Sequence, residues 1–176
     1  MHTPDPRYPI GKFEFKAQYT AEEVSLAIDR IASMPSRMEA ALNGLTDVQL
    51  DTPYREGGST LRQVAHHVAD SHMNAFIRVK WTLTENDPLI KAYNEKEWAN
   101  TPETHQTPAI SISLLKALHV KWVILLRALT PEMLQRQFTH PDTKKQVPLD
   151  RLISMYAWHG EHHLGHVIGL KERMGW

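Results

Sequence analysis

The sequence predicts an all-α four-helix bundle on three observations. Four long segments carry apolar residues at helical spacing. No alternating apolar and polar run is long enough for a sheet core. A long polar connection separates the second long helix from the third, which points to a crossover rather than a tight antiparallel turn. The chain has 176 residues, a length suited to one domain spanning 1–176 with a sizeable core. No internal repeat or low-complexity tract interrupts it.

The elements follow in chain order. Residues 1 to 19 include Pro4, Pro6 and Pro9 and end in the aromatic run Tyr8-Pro9-Ile10-Gly11-Lys12-Phe13-Glu14-Phe15, so an extended arm across the domain is expected. Thr20-Ala21-Glu22-Glu23 has the form of a capping box and starts the first long helix. Val24, Ile28, Ile31, Met38 and Leu42 form its apolar stripe, Pro35 should kink or split it, and Asn43-Gly44 ends it. The segment from Asp51 to Gly58 is turn chemistry. Thr60 with Gln63 then caps a second helix, about Thr60 to Leu83, whose free N–H groups could hold an anion near Arg55. His67, Asp70, Ser71, Asn74 and Arg78 share one face of that helix, a polar seam that reads as a solvated outer face unless His67 finds a partner.

From Thr84 to Pro108 the chain is polar and broken by prolines, with a short helix at Glu95 to Ala99. A third helix spans about Ile110 to Leu129, with His119 in an apolar stripe of Ile112, Leu115, Trp122, Val123 and Leu126. A lone histidine there is first a hydrogen-bonded core residue and only second a site residue. Thr130-Pro131-Glu132 begins a short capped helix, and Phe138 to Pro148 looks like a turn or small hairpin. The fourth helix runs from about Leu149 to Met174.

Composition narrows the function. Twenty basic residues balance twenty acidic ones, and no run of like charge suggests a nucleic-acid or membrane partner, which leaves a small molecule. The start of the chain lacks the form of a signal segment, and no uninterrupted apolar stretch of about 18 residues follows, so a soluble cytoplasmic protein is expected. With no cysteine, any metal must rest on His, Asp or Glu.

Chemistry concentrates in Tyr156 to His166. His159, His162, His163 and His166 fall within about a 100° arc of one helix. The apolar stripe of Leu152, Tyr156, Val167, Leu170 and Met174 centres close to His163, with His159 also inward and His162 and His166 nearer the edge. His159 and His163, four apart, can bind one ion. The protease version of this pair places Glu directly after the first His; here Gly160 follows His159, so that mechanism does not transfer. A third ligand must come from another helix, with His66, His67, His72 and His119 as candidates. His67 has the best surroundings, in Asp70, Ser71 and Asn74. Three imidazoles and an open position make a catalytic zinc site, although nickel, iron and copper also accept imidazole.

These residues resemble the YfiT-type branch of the DinB-like metal-dependent hydrolases. The resemblance spans nearly the whole chain and rests on Tyr8 to Gly11, Pro53-Tyr54-Arg55 with Gly57-Gly58, Val64 to Asn74, Leu118 to Trp122 and Tyr156 to His166. It departs at Ser59, where the family pattern has Trp, which bears on the shape of the pocket mouth. The resemblance implies an up-down-down-up bundle, often a homodimer, with one divalent metal ion per chain held by His67, His159 and His163. Zinc is the first expectation for that ion and nickel the alternative. Hydrolysis of a small molecule is the implied reaction in this branch, and transfer of a low-molecular-weight thiol occurs in relatives. Asp70 and Asn74 are the candidates for substrate contact or orientation. A non-catalytic metal-binding bundle is the third possibility, favoured if His119 supplies a fourth ligand.

Overall fold

The computed structural model describes residues 5–176, so the expected arm is open to description only from Asp5 onward. Four long helices form the bundle: α1 (Ala21–Leu42), α3 (Leu61–Thr84), α5 (Ala109–Arg127) and α7 (Leu149–Met174). Three single-turn helices, α2 (Asp47–Leu50), α4 (Glu95–Trp98) and α6 (Pro131–Leu134), and a 3-10 turn at Pro102–His105 lie in the connections. The starts of α1 and α3 are written in the sequence. Thr20 and Thr60 each accept from the backbone three residues on, while Glu23 and Gln63 reach back to the cap. A third such box, Thr46 with Gln49, makes α2, an element the periodicity did not call for.

Cross-helix contacts establish the directions. Arg62, at the start of α3, donates to the Gln106 carbonyl just before α5, so α3 and α5 run parallel. Lys171, near the end of α7, donates to the Ala41 carbonyl near the end of α1, so these two are parallel as well. Lys116 pairs with Glu39 and Arg127 with Asp29, which sets α5 antiparallel to α1. The result is an up-down-down-up bundle in which α1 packs on α5 and α7, and α3 packs on the same two. Parallel α3 and α5 need a return path, and residues 85–108 supply it.

One alternative expected for the first long helix is ruled out. Pro35 does not split the first helix: α1 is continuous through it. A proline forfeits only its own N–H bond, and the packing of both flanks holds the helix together. Helix α5 is long and apolar enough by length and composition to cross a membrane, although Lys116 and Lys121 keep its apolar run from being unbroken. Its buried stripe of Ile112, Leu115, Trp122, Val123 and Leu126 nonetheless faces the bundle.

The expected hairpin is present. Strand β1 (Gln137–Thr139) pairs antiparallel with β2 (Gln146–Pro148), and Phe138, opposite Val147, is buried in the bundle. The arm crosses α7: Phe13 packs on Trp158 at 5.8 Å between ring centroids and Tyr8 approaches His162 at 6.4 Å. Gly165 permits this crossing, since a Cβ there would stand 3.0 Å from Pro9 Cγ.

The core has two apolar halves. Ile28, Ile31, Val79, Trp122, Leu152 and Ile153 fill one, and Met34, Met38, Val64, Val68, Leu115 and Leu164 fill the other. Between them three of the long helices change character, and in the gap lie His72 of α3, His119 of α5 and His159 of α7. A polar layer enclosed in this way must be internally satisfied or it would cost more than an apolar layer.

Candidate metal centre

Helices α3 and α7 are antiparallel neighbours, and their facing stripes bring His67 against His159 and His163. One ring nitrogen from each lies within 4.8 Å of those of the other two. The ring centroids are 5.4 Å apart for His67 and His159, 4.7 Å for His67 and His163, and 4.4 Å for His159 and His163. Burial lowers the pKa of all three, and for His159 and His163 the proximity of the other imidazoles drives it further down. At neutral pH the trio is therefore uncharged, the form in which imidazole offers a lone pair. His163 Nδ1 is buried without a hydrogen-bond partner among the described residues. Three neutral imidazoles converging at an incompletely satisfied site fit a single transition-metal ion.

The remaining candidates for the third position are engaged elsewhere. His66 joins α3 to α5, its Nδ1 2.7 Å from Ser111 Oγ and its Nε2 3.2 Å from the Gln106 carbonyl. His119 and His72 form a relay that ends on His159. Pro35 has no N–H to offer the Ile31 carbonyl one turn back; His119 Nδ1 donates to that oxygen at 2.6 Å. His119 Nε2 is then bare and accepts from His72 Nδ1 at 2.9 Å. His72 Nε2 in turn accepts from His159 Nδ1 at 3.3 Å. Burial pushes His119 down to about 4 and His72 well below the usual range, so each ring carries one proton and the direction of the chain follows. The consequence falls on His159: with its proton on Nδ1, Nε2 is left bare for a metal, 3.4 Å from Ser71 Oγ.

His162 and His166, placed by helical spacing nearer the edge of the apolar stripe, are both buried. His162 stacks on Trp158 at 4.5 Å and His166 on Tyr54 at 3.9 Å, the latter two rings nearly parallel. The loop carrying Tyr54 is closed by its N–H donating to the Ser59 carbonyl at 3.1 Å, so backbone rather than a large side chain shapes it at that position. The donors at the start of α3, read as a possible anion site, are partly taken by Thr60, and Arg55 donates to the Glu56 carbonyl instead.

Asp70 and Asn74 sit on the α3 face that carries His67. Asp70 is half-buried, its carboxyl raised to about 6 chiefly by that burial and secondarily by Glu103; Asn74 donates to the Asp70 carbonyl at 2.9 Å. Neither lines the cavity that reaches His159. That cavity, of about 520 Å3, is bounded by Ser71, Tyr156 and His159 on its polar side and by Phe15, Phe138 and Leu152 on its apolar side. Tyr156 had read as plain core and Glu95 as part of a loop helix. A cavity assembled from the arm, the hairpin and three helices leaves no local spacing to find. A second cavity, of about 370 Å3, lies beneath the arm beside Tyr54 and Arg173 and contains none of the three histidines.

Comparison with known proteins agrees with the bundle fold. The DinB superfamily matches residues 30–167. A Geobacillus thermodenitrificans protein named "Putative metal-dependent hydrolase" is 47% identical over 178 residues, covering 100% of both chains. A Bacillus cereus protein carrying the same description is 46% identical over 172 residues, 98% of this chain and 99% of its own. The solved structure of YfiT from Bacillus subtilis, described as "a probable metal-dependent hydrolase with an unusual four-helix bundle topology", superposes with a TM-score of 0.95 at 43% identity. It covers 97% of this chain and 98% of its own.

Proposed function

Because this chain belongs to the DinB superfamily, we propose that it is a metal-dependent hydrolase of a small molecule, with His67, His159 and His163 holding one divalent ion. The observation that carries the proposal is the convergence of three uncharged imidazoles beside a cavity of about 520 Å3. When bound, such an ion lowers the pKa of a water towards neutrality or polarises a carbonyl. The chain's own groups do the rest. His119 and His72 hold His159 in one tautomer, Ser71 Oγ and Tyr156 Oη present hydroxyls on the cavity wall, and the apolar wall limits water. Asp70, raised to about 6, is suited to exchange a proton near neutral pH, and we assign it with Asn74 to orientation at the edge of the site.

Zinc is our first assignment for the ion and nickel the second, since both accept imidazole. His119 donates to Ile31 and accepts from His72, which argues against a fourth protein ligand there and for a position open to substrate. We assign the protein to the cytoplasm, which a cysteine-free chain permits, and to a homodimer. The support for the dimer is the outer face of α5, where Ile110, Leu114, Val120 and Ile124 are exposed together.

The test is elemental analysis of protein purified without added metal, followed by a panel of small amides and esters with and without an added thiol. One divalent ion per chain is expected, lost together with turnover in the His159→Ala, His163→Ala double variant. Retention of both by that variant would sink the assignment. Turnover that requires the thiol would move the reaction from hydrolysis to thiol transfer.

A further inference from the structure

The chain contains two buried arginines of opposite character. Arg62, 7% exposed, is fully answered: its Nε donates to Asp51 at 2.6 Å and Nη2 to Asp47 at 2.8 Å, while Nη1 reaches the Gln106 carbonyl at 3.2 Å. Arg78 is also 7% exposed and has no carboxylate within ion-pair distance among the described residues. Its Nε has no partner among the described residues. Its other contacts are Nη1 to Tyr156 Oη and Nη2 to the Lys91 carbonyl, both at 3.5 Å, the long limit of a hydrogen bond. A guanidinium taken out of water without a counter-charge is strongly disfavoured, and the two contacts of Arg78, both at the long limit, offset little of that.

Arg78 lines the same cavity as His159. His159 Nε2 to Ser71 Oγ is 3.4 Å, Ser71 Oγ to Tyr156 Oη 3.5 Å, and Tyr156 Oη to Arg78 Nη1 3.5 Å. Three contacts in succession keep the guanidinium within about 10 Å of the His159 nitrogen that the relay leaves bare. The approach carries further positive charge in Lys145 and Arg151, against the exposed acid Glu95.

We propose that Arg78 is the carboxylate-binding subsite of this cavity, so that the substrate is a small molecule with an apolar body and one carboxylate. It rests on the metal-site assignment only for where the reacting bond lies. A planar guanidinium pairs with a carboxylate through two parallel N–H···O bonds, and one desolvated cation matches one negative charge. A phosphate monoester, close to a dianion at neutral pH, would leave excess charge against Phe138 and Leu152. With the carboxylate on Arg78, the bond presented to His159 lies a few atoms along the same molecule, which fixes substrate length as well as charge.

The test uses the full-length protein, stripped with chelator so that no carboxylate can bind a metal, and 3-phenylpropionate against its neutral amide and against phenyl phosphate, titrated calorimetrically. The carboxylate should bind at least 10-fold tighter than the amide and tighter than the phosphate. Arg78→Met should abolish that preference and Arg78→Lys keep part of it. The thermal midpoint of free Arg78→Met should be unchanged or higher, because an unanswered buried charge has been removed. Equal binding of acid and amide, indifference to Arg78→Met, preference for the phosphate, or a fall of several degrees in the Arg78→Met midpoint would each overturn the assignment. The His159→Ala, His163→Ala variant separates the two proposals: an intact carboxylate preference in that variant leaves the subsite standing whatever becomes of the metal.

Discussion

His119 Nδ1 stands 2.6 Å from the carbonyl oxygen of Ile31, the helix oxygen that Pro35, four residues on, cannot bond. A proline that looks like a defect in α1 thus creates the acceptor that sets the tautomer of His119 and, through His72, of His159. His119→Leu would leave both the Ile31 carbonyl and the His72 Nδ1–H unsatisfied, at a cost of about 1–3 kcal/mol for each group. Metal affinity should fall about 10- to 100-fold with no ligand touched. His119→Gln offers an amide N–H to Ile31 and a carbonyl to His72, so it should recover most of both. Nitrogen NMR of the metal-free protein should find the proton of His72 and His119 on Nδ1; a proton on Nε2 of either ring would break the relay.

Stability should decline as acidity rises through the histidine range. His119 has a folded pKa of about 4 against an unfolded value of 6.5, so the unfolded chain binds the extra proton between these values. The stabilisation is complete above pH 6.5 and is lost progressively below it, by about 3 kcal/mol at pH 4 from this residue alone. His72, lowered in the same direction, steepens the fall. Asp70, raised to about 6 from 3.8, acts oppositely: its contribution is present below 3.8 and lost as pH rises through 6, and its partial exposure keeps it small. Urea unfolding of metal-free protein from pH 8 to pH 4 should therefore show a net loss. A flat profile would contradict the neutral state assigned to the relay, and His119→Gln should flatten the curve by that residue's share.

Gly160 occupies the position after His159 where the metalloprotease pattern has a glutamate, and packing accounts for it. A Cβ there would lie 2.9 Å from Met34 Cγ, in the buried contact between α7 and α1. Gly160→Ala gains about 1 kcal/mol of helix propensity but overpacks the core, which costs about 1–3 kcal/mol. A net loss of up to about 2 kcal/mol is expected in denaturant melts. The same substitution should become neutral or stabilising in a Met34→Ala background, because the truncated side chain removes the clash.

How much could be read from sequence follows from how far apart the partners lie. The long helices ended within two residues of their expected bounds because caps and apolar spacing are local signals: Thr20, Thr60 and Asn43 each mark an end within a few residues of their own position. The inward turn of His159 and His163 followed from the stripe of one helix, and His67 emerged from a seam on another. The relay could not be read, because Pro35, His119, His72 and His159 belong to four helices and only their packing order joins them. Arg78 shows the same limit: on the seam of α3 it looks solvated, and it is α7 and the connection after α3 that bring Tyr156 and the Lys91 carbonyl against it. The direction of α3 against α5 likewise rests on Arg62 meeting Gln106 across the end of the bundle.

The exposed face of α5 yields the last prediction. Val120 and Ile124 are 66% and 68% exposed, and with Ile110 and Leu114 they form one apolar stripe on the side turned away from Trp122 and Leu126. Lys116 lies at one edge of the stripe, paired with Glu39, and Lys121 lies along it with its Nζ 5.9 Å from the Phe76 ring centroid, so two copies meeting there would bury aliphatic surface from the same face of each chain, as an isologous interface requires. Val120→Glu with Ile124→Glu should convert a dimer to a monomer in sedimentation velocity, since like charges would face each other across the symmetry axis. The fold should survive, because neither side chain reaches the core. A wild-type chain that sediments as a monomer at high micromolar concentration would remove the dimer and leave the stripe without a partner of its own kind.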